Sequence, residues 1–239
     1  MLKTVKARVI AIDGPASSGK STTARLLAKR LGYLYLDTGA MYRAITLKAL
    51  RAGVDLDDEK ALQELAKNSS LTMSLENQQL KVFLNGEEVS SQIRSPEVSA
   101  SVSKVSAYPG VRRQMVALQR KSASDIVGSA SGGKEGGIVA EGRDMGTAVF
   151  PGAEVKIFLT CDLKERAKRR YLELESEGIS CSPDEVRENL SKRDRIDSTR
   201  EDSPLAAAED AVVVDTTNLT IEEQVQEVLK HLNRDLEVT

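Results

Sequence analysis

Near the start of the chain, Gly14-Pro15-Ala16-Ser17-Ser18-Gly19-Lys20-Ser21, followed by Thr22, fits the spacing G-x-x-x-x-G-K-[ST]. The chemistry of that spacing is phosphate binding. Gly14 and Gly19 allow backbone angles that a side chain forbids, so consecutive N–H groups can turn inward around an anion. A helix beginning at Ser21 would add its N-terminal N–H groups to the same cradle. Lys20 then reaches the β- and γ-phosphates, and the Ser21 hydroxyl is placed to ligate Mg²⁺. Such a loop serves GTPases, motor ATPases and small-molecule kinases alike. No N-K-x-D guanine-reading signature follows it, which argues against the common GTPases. Asp215 and Asp162 each close an apolar run and so could act as metal-directing carboxylates; for Asp215 an ordinary strand-end turn is the preferred reading.

Three further stretches carry groups suited to holding a second anion. In LDTGAMYR, Thr38 and Arg43 follow a short apolar run at the strand end or first helical turn, where ligands of open α/β sheets bind. Arg43 could take a phosphate in a fork. In VAEGRDMGT, Glu141, Arg143 and Asp144 follow a buried-strand run directly, again at the crevice position. The third stretch is basic: KERAKRRYLELE supplies Arg166, Arg169 and Arg170, and SKRDRIDSTRED supplies Arg193, Arg195 and Arg200, with Asp194 and Asp197 interleaved. Glu165 with Arg169 and Asp162 with Arg166 have the spacing of helical ion pairs. The two basic segments bracket a Gly/Ser/Pro turn at Gly178–Pro183, the layout of a helical lid whose arginines neutralise a phosphoryl group in transfer and expel water.

These residues need a scaffold, and the apolar pattern supplies one. Val9–Ile12, Ile138–Ala140, Val155–Leu159 and Ala211–Val214, with Leu34-Tyr35-Leu36 as a weaker fifth, read as buried strands of a parallel sheet. Helices are expected between them at Ser21–Leu31, Met41–Arg51, Leu163–Glu177, Asp184–Lys192 and Ile221–Leu232, the last entered through Thr220 and Glu223 as a capping box. Strands alternating with helices predict a doubly wound α/β fold. Leu71–Val89 breaks the alternation: Asn85-Gly86 between alternating runs predicts short antiparallel strands, within an insert over roughly Asp55–Tyr108. Gly128–Gly137 reads as a mobile Gly/Ser-rich loop.

The 239 residues suffice for one α/β domain with an insert, and a net charge of -2 with 3% aromatic residues argues against a nucleic-acid binder. Val9–Ile12 is too short for a signal or membrane segment, which predicts a cytoplasmic protein without a membrane partner. Cys161 and Cys181 lack neighbours at metal-ligand spacing, so reduced thiols and no zinc site are expected. No long apolar heptad seam appears, and a monomer is expected.

Together IDGPASSGKST, YLDTGAMYR, IRSPEVSASVSKVSAYPGVR, EGRDMGT, AEVKIFLTCDLKERAKRR, RDRIDSTREDSPL and EDAVVVDTTNLT cover nearly the whole chain. They resemble the bacterial-type cytidylate kinases, nucleoside monophosphate kinases of the P-loop kinase type. The resemblance implies transfer of the γ-phosphoryl of ATP to CMP or dCMP with Mg²⁺. It implies a five-stranded parallel core (1–54 and 109–239, with the lid at about 163–200) and an α+β monophosphate-binding subdomain at 55–108. It further implies that Gly14–Thr22 hold ATP, that Thr38 lies against the monophosphate, and that Arg43 and Arg143 hold its phosphate. Ser103, Arg112 and Asp144 would read cytosine. Arg193 and Asp197 would approach the ribose or phosphate, Arg200 the phosphate, and Lys20, Arg166, Arg169 and Arg193 would carry catalysis. Glu141 stands where the family more often has Asp, and Thr38 where some members have Ser.

The chemistry agrees with the residue inventory. A phosphate acceptor is already an anion and needs no general base, so the absence of a His or Cys–His pair near any motif is no obstacle. Two unit charges 4 Å apart repel by about 1 kcal/mol in water and several times more in a drier site, so a lysine, Mg²⁺ and arginines are the required countercharges. Cytosine presents an amino donor beside N3 and O2 acceptors, which suits an Asp and an Arg; uracil reverses that polarity. The rival readings are a shikimate-type or dephospho-coenzyme A kinase, and an ATP-binding switch with no acceptor.

Overall fold

The computed structural model describes residues 8–76, 79–129 and 136–237. They divide into two compact units, one of 8–35, 136–199 and 203–237, the other of 36–129 and 200–202.

In the first unit β1 (Arg8–Asp13), β6 (Gly137–Gly142), β7 (Val155–Thr160) and β8 (Val212–Asp215) join β2 (Leu34–Asp37) in a five-stranded parallel sheet of order β2-β6-β1-β7-β8. All five expected strands are present. β1 lies at the centre, paired in parallel with β6 from Arg8↔Gly137 to Asp13↔Gly142 and with β7 from Ile10↔Val155 to Asp13↔Phe158. Its apolar run is continuous because both faces are covered: Ile10, Ala11 and Ile12 are all buried. Helix α1 (Lys20–Leu31) sets Ala24, Leu27 and Ala28 against this sheet, and α8 (Ile221–Glu237) adds Val228 and Leu232 to the same core. α8 starts at the expected capping box, with Thr220 N–H donating to Glu223 at 2.8 Å and Glu223 N–H to Thr220 at 3.3 Å.

Helices α6 (Leu163–Ser176) and α7 (Pro183–Thr199) form the expected helical pair, α6 closing at Gly178 with φ 74°. α7 runs to Thr199, past the expected end at Lys192. No Gly or Pro interrupts 193–203, and Leu190 and Asp197 continue its buried face. Ala167, Val186 and Leu190 pack together with Ala16 of the glycine-rich loop.

The second unit contains α2 (Thr38–Arg51), α3 (Glu59–Lys67), the antiparallel strands β3 (Leu71–Glu76), β4 (Gln79–Leu84) and β5 (Glu87–Glu88), α4 (Pro96–Val105) and α5 (Pro109–Ser129). The Asn85-Gly86 turn has φ 51° and 86°, the left-handed pair that a tight hairpin needs. Most of the Gly128–Gly137 loop lies outside the described residues.

Candidate active site

β1 ends in Asp13 and the chain turns at once into the glycine-rich loop. Gly14 has φ +146°, and a Cβ there would stand 2.2 Å from the Leu159 carbonyl oxygen of β7, so only glycine permits this exit from the central strand. Ser17 (φ 60°) and Gly19 (φ 93°) complete the turn, and Gly19 occupies the N-cap of α1. The loop therefore delivers the helix N-terminus to the C-terminal edge of the sheet, as an anion cradle requires.

Lys20 is buried; its ammonium donates to the Pro15 carbonyl and lies 3.5 Å from Ser18 Oγ. Burial, and then the positive charge of Arg143, lower its pKa to about 7, against the attraction of Glu141, Asp13 and Asp197. The Ser21 hydroxyl donates to Glu141 Oε2 at 3.0 Å, and the Tyr35 hydroxyl donates to the other oxygen of the same carboxylate. Glu141, next to last in β6, lies beside Ile12 of β1. A serine hydroxyl paired with a buried carboxylate is a hard-oxygen donor set, which suits Mg²⁺. Asp215, by contrast, is exposed and accepts from its own neighbour Thr217 N–H at 2.9 Å, the strand-end turn preferred from the sequence.

One residue past β6, Arg143 Nε donates to Asp197 Oδ2 of α7 at 2.8 Å. Burial works against the Arg143 charge, but the Asp197 carboxylate beside it holds its pKa above the ordinary value. Asp144 is buried at the head of a π turn, Met145–Val149. Asp13 supplies both bonds to that head, its two oxygens accepting from Met145 N–H and Gly146 N–H at 2.8 Å each. Burial raises the Asp13 pKa to about 6 despite these bonds.

The arginines of α6 are heavily engaged. Arg166 does not make the expected pair with Asp162. Its guanidinium reaches Asp194 on α7 through two nitrogens, at 3.1 and 2.7 Å, and also donates to the carbonyls of Cys161 and Ala16. Packing of α6 on α7 brings Asp194 within reach of the fork, while Asp162, at the N-cap position of α6, makes no side-chain capping bond. Arg169 makes the expected bond to Glu165 at 3.3 Å and donates to the Thr216 carbonyl at 2.7 Å. Arg193 is half-buried on α7.

In the second unit, Asp37 caps α2 by accepting from Ala40 N–H at 2.9 Å, which fixes Thr38, buried, as the first helical residue. Arg43, one turn on, donates to Ser99 Oγ of α4 at 2.9 Å. Ser103 is buried on α4. Arg112 on α5 is buried, donates to the Ser106 carbonyl at 3.1 Å and lies 5.7 Å from the centroid of the Tyr42 ring. Arg200, also buried, falls in this unit.

The first unit thus gathers Lys20, Ser21, Arg143, Asp144 and Asp197 at the ends of β1 and β6, and the second gathers Thr38, Arg43, Ser103 and Arg112 on α2, α4 and α5. Sequence reasoning passed over Asp13, named Asp194 only as interleaved with the basic residues, and set Glu141 at the crevice without its partner Ser21. The one signal for Asp13 was a carboxylate closing the most apolar run of the chain.

Comparison with known proteins places this geometry in a family. A family model described as cytidylate kinase matches residues 10–234. The chain is 50% identical over 224 residues to a cytidylate kinase of Geobacillus sp. (strain WCH70), covering 94% of this chain and 96% of that protein. It is 49% identical over 230 residues to a cytidylate kinase of Enterococcus faecalis (95% and 97% covered) and 48% identical over 229 residues to one of Carboxydothermus hydrogenoformans (96% and 99% covered).

Proposed function

The chain belongs to the cytidylate kinase family, and from that premise we propose that it transfers the γ-phosphoryl of ATP to CMP or dCMP, giving ADP and CDP or dCDP. The observation that carries the reading is the convergence of Lys20, the Ser21–Glu141 pair and the Arg143–Asp197 pair at the ends of adjacent strands. Cations for two polyanions are set there on rigid elements, and transfer between phosphates asks no general base of the carboxylates beside them.

In this reading Gly14–Thr22 hold the ATP phosphates, and Lys20 leaves the Pro15 carbonyl for their oxygens. Ser21 and Glu141 would hold Mg²⁺, the glutamate through a water or directly. The metal supplies charge neutralisation on the donor phosphates. Arg143 exchanges the Asp197 carboxylate for the CMP phosphate, and Asp197 turns to the ribose. Arg193 supports that side. Asp144 accepts from the cytosine amino group. In the second unit, Thr38 and Arg43 contact the monophosphate, Arg200 its phosphate, and Ser103 and Arg112 the base; the 55–108 segment is read as the part that closes over it. Arg166 and Arg169 anchor the α6–α7 lid. The enzyme is read as a cytoplasmic monomer without nucleic-acid partners; no helix among the described residues is long and apolar enough to cross a membrane.

A coupled ADP-release assay with ATP and Mg²⁺ tests the proposal against CMP, dCMP, UMP, AMP, GMP and shikimate. Turnover confined to CMP and dCMP is expected, with CMP favoured over UMP by about tenfold or more, since uracil would leave the Asp144 carboxylate against an oxygen. Equal use of UMP removes the cytosine-reading roles. ATP turnover indifferent to any acceptor replaces a kinase with a switch.

A further inference from the structure

We propose that Asp13 is a positioning residue for the acceptor side, setting Arg143 and Asp144 by capping the turn that follows them. The inference rests on the reading of Arg143 and Asp144 as holders of the monophosphate.

The first N–H groups of a helical turn have no partner within it and need an outside acceptor. An aspartate at the N-cap ordinarily provides one from its own side chain. Asp144 occupies that place before Met145–Val149 yet makes no side-chain capping bond. Its carbonyl closes the turn, accepting from Ala148 N–H at 2.9 Å and Val149 N–H at 3.0 Å. The cap comes from Asp13, more than a hundred residues earlier, whose two oxygens take Met145 N–H and Gly146 N–H at 2.8 Å. Capping is thereby supplied by Asp13 rather than by the Asp144 side chain.

The fork also fixes a direction. Asp13 pairs with Gly142 across the β1–β6 ladder, so the chain is held on one side of Arg143 and Asp144 by strand pairing and on the other by the Asp13 carboxylate. Two residues suspended between such anchors have little freedom in where their side chains leave the backbone. The fit at the turn is close: a Cβ on Gly146 would stand 3.1 Å from Lys156 Cδ and 3.5 Å from Asp13 Oδ2. Asp13 is 4% exposed, so water does not compete for the fork. It also directly precedes Gly14. One carboxylate therefore ends the strand that launches the phosphate loop and pins the turn behind the acceptor-side arginine.

The test is Asp13→Asn, a near-isostere that offers one acceptor oxygen and turns an NH₂ toward the second N–H. KM for CMP should rise about tenfold, the cost of one lost charged hydrogen bond, while KM for ATP changes less than about twofold. Ile12→Val, which loosens the same strand by one core methylene, controls for general destabilisation and should move neither. Equal rises in both constants, or no change in either, would overturn the positioning role. Should Asp13→Asn fail to fold, hydrogen exchange on the wild-type protein decides: Met145 and Gly146 amides protected to the level of the β1 ladder are expected, and exchange at the rate of exposed amides would overturn the proposal. That arm uses no substrate. A wild-type enzyme that ignores CMP would instead strike the reading on which the inference rests.

Discussion

Asp194 and Asp197 lie one turn apart on α7, and each holds an arginine from another element, but the two pairs are built differently. The Arg166–Asp194 pair is forked and Arg166 adds bonds to two backbone carbonyls, leaving its side chain 6% exposed. The Arg143–Asp197 pair rests on a single nitrogen at 2.8 Å, with a longer contact from Arg143 to its own Gly142 carbonyl at 3.4 Å, and its arginine is 22% exposed. An arginine whose N–H groups are committed to carboxylate and carbonyls is a structural tie. An arginine held by one carboxylate bond can trade it for a phosphate at little cost, because both partners are charged acceptors of similar geometry. The lesson is that an arginine beside a phosphate site must be judged by how many of its donors are spent.

Substitutions at the two arginines should separate along that line. Arg143→Ala is expected to raise KM for CMP by roughly 10- to 100-fold, as a charged hydrogen bond to substrate is worth about 1.5–3 kcal/mol, and also to lower the melting temperature, because it takes a cationic partner from the buried Asp197 carboxylate. Steady-state kinetics beside a thermal melt reads both quantities. Arg166→Ala should lower stability while leaving KM for CMP within about twofold of wild type. Losing a buried pair and a tie to the phosphate loop should cost about 2–3 kcal/mol of stability, below the full buried-pair value because Asp194 keeps some solvent contact. A denaturant titration that finds Arg166→Ala as stable as wild type would break the contrast.

A smaller effect sharpens it. Lys20 is held near pKa 7 by burial and then by Arg143, so it is largely neutral at pH 8 and charged at pH 6. Phosphate oxygens restore its charge. ATP binding should therefore take up most of a proton at pH 8 and little at pH 6, and affinity should fall as pH rises above about 7. Calorimetry in buffers of different ionisation enthalpy measures the uptake. Arg143→Ala should reduce it, and Arg166→Ala should leave it unchanged, since Arg166 is not among the charges that set the Lys20 pKa.

Much of this was legible in the chain. The central strand announces itself because a parallel strand covered on both faces is apolar throughout, as Val9–Ile12 is, and Val155–Leu159 keeps that pattern apart from Lys156, which reaches out to Asp210. The phosphate loop is local, and its glycines are dictated by backbone angles that show directly as glycine. The carboxylates were harder. Glu141 meets Ser21, and Asp13 meets Met145, only after the chain has travelled more than a hundred residues, and no spacing rule reaches that far. Arg166 was paired with Asp162 because helical spacing is the only pairing a sequence displays. Its true partner became visible only once α6 packed on α7.

In the proposed reaction Arg143, and not Arg166, gives up its carboxylate to the incoming phosphate. Nitrogen-15 NMR of the arginine Nε–H groups during a CMP titration tests it. The Arg143 resonance should move with a midpoint matching the CMP binding constant while that of Arg166 stays in place. An Arg143 signal unmoved at saturating CMP, or an Arg166 signal that moves as far, would contradict it.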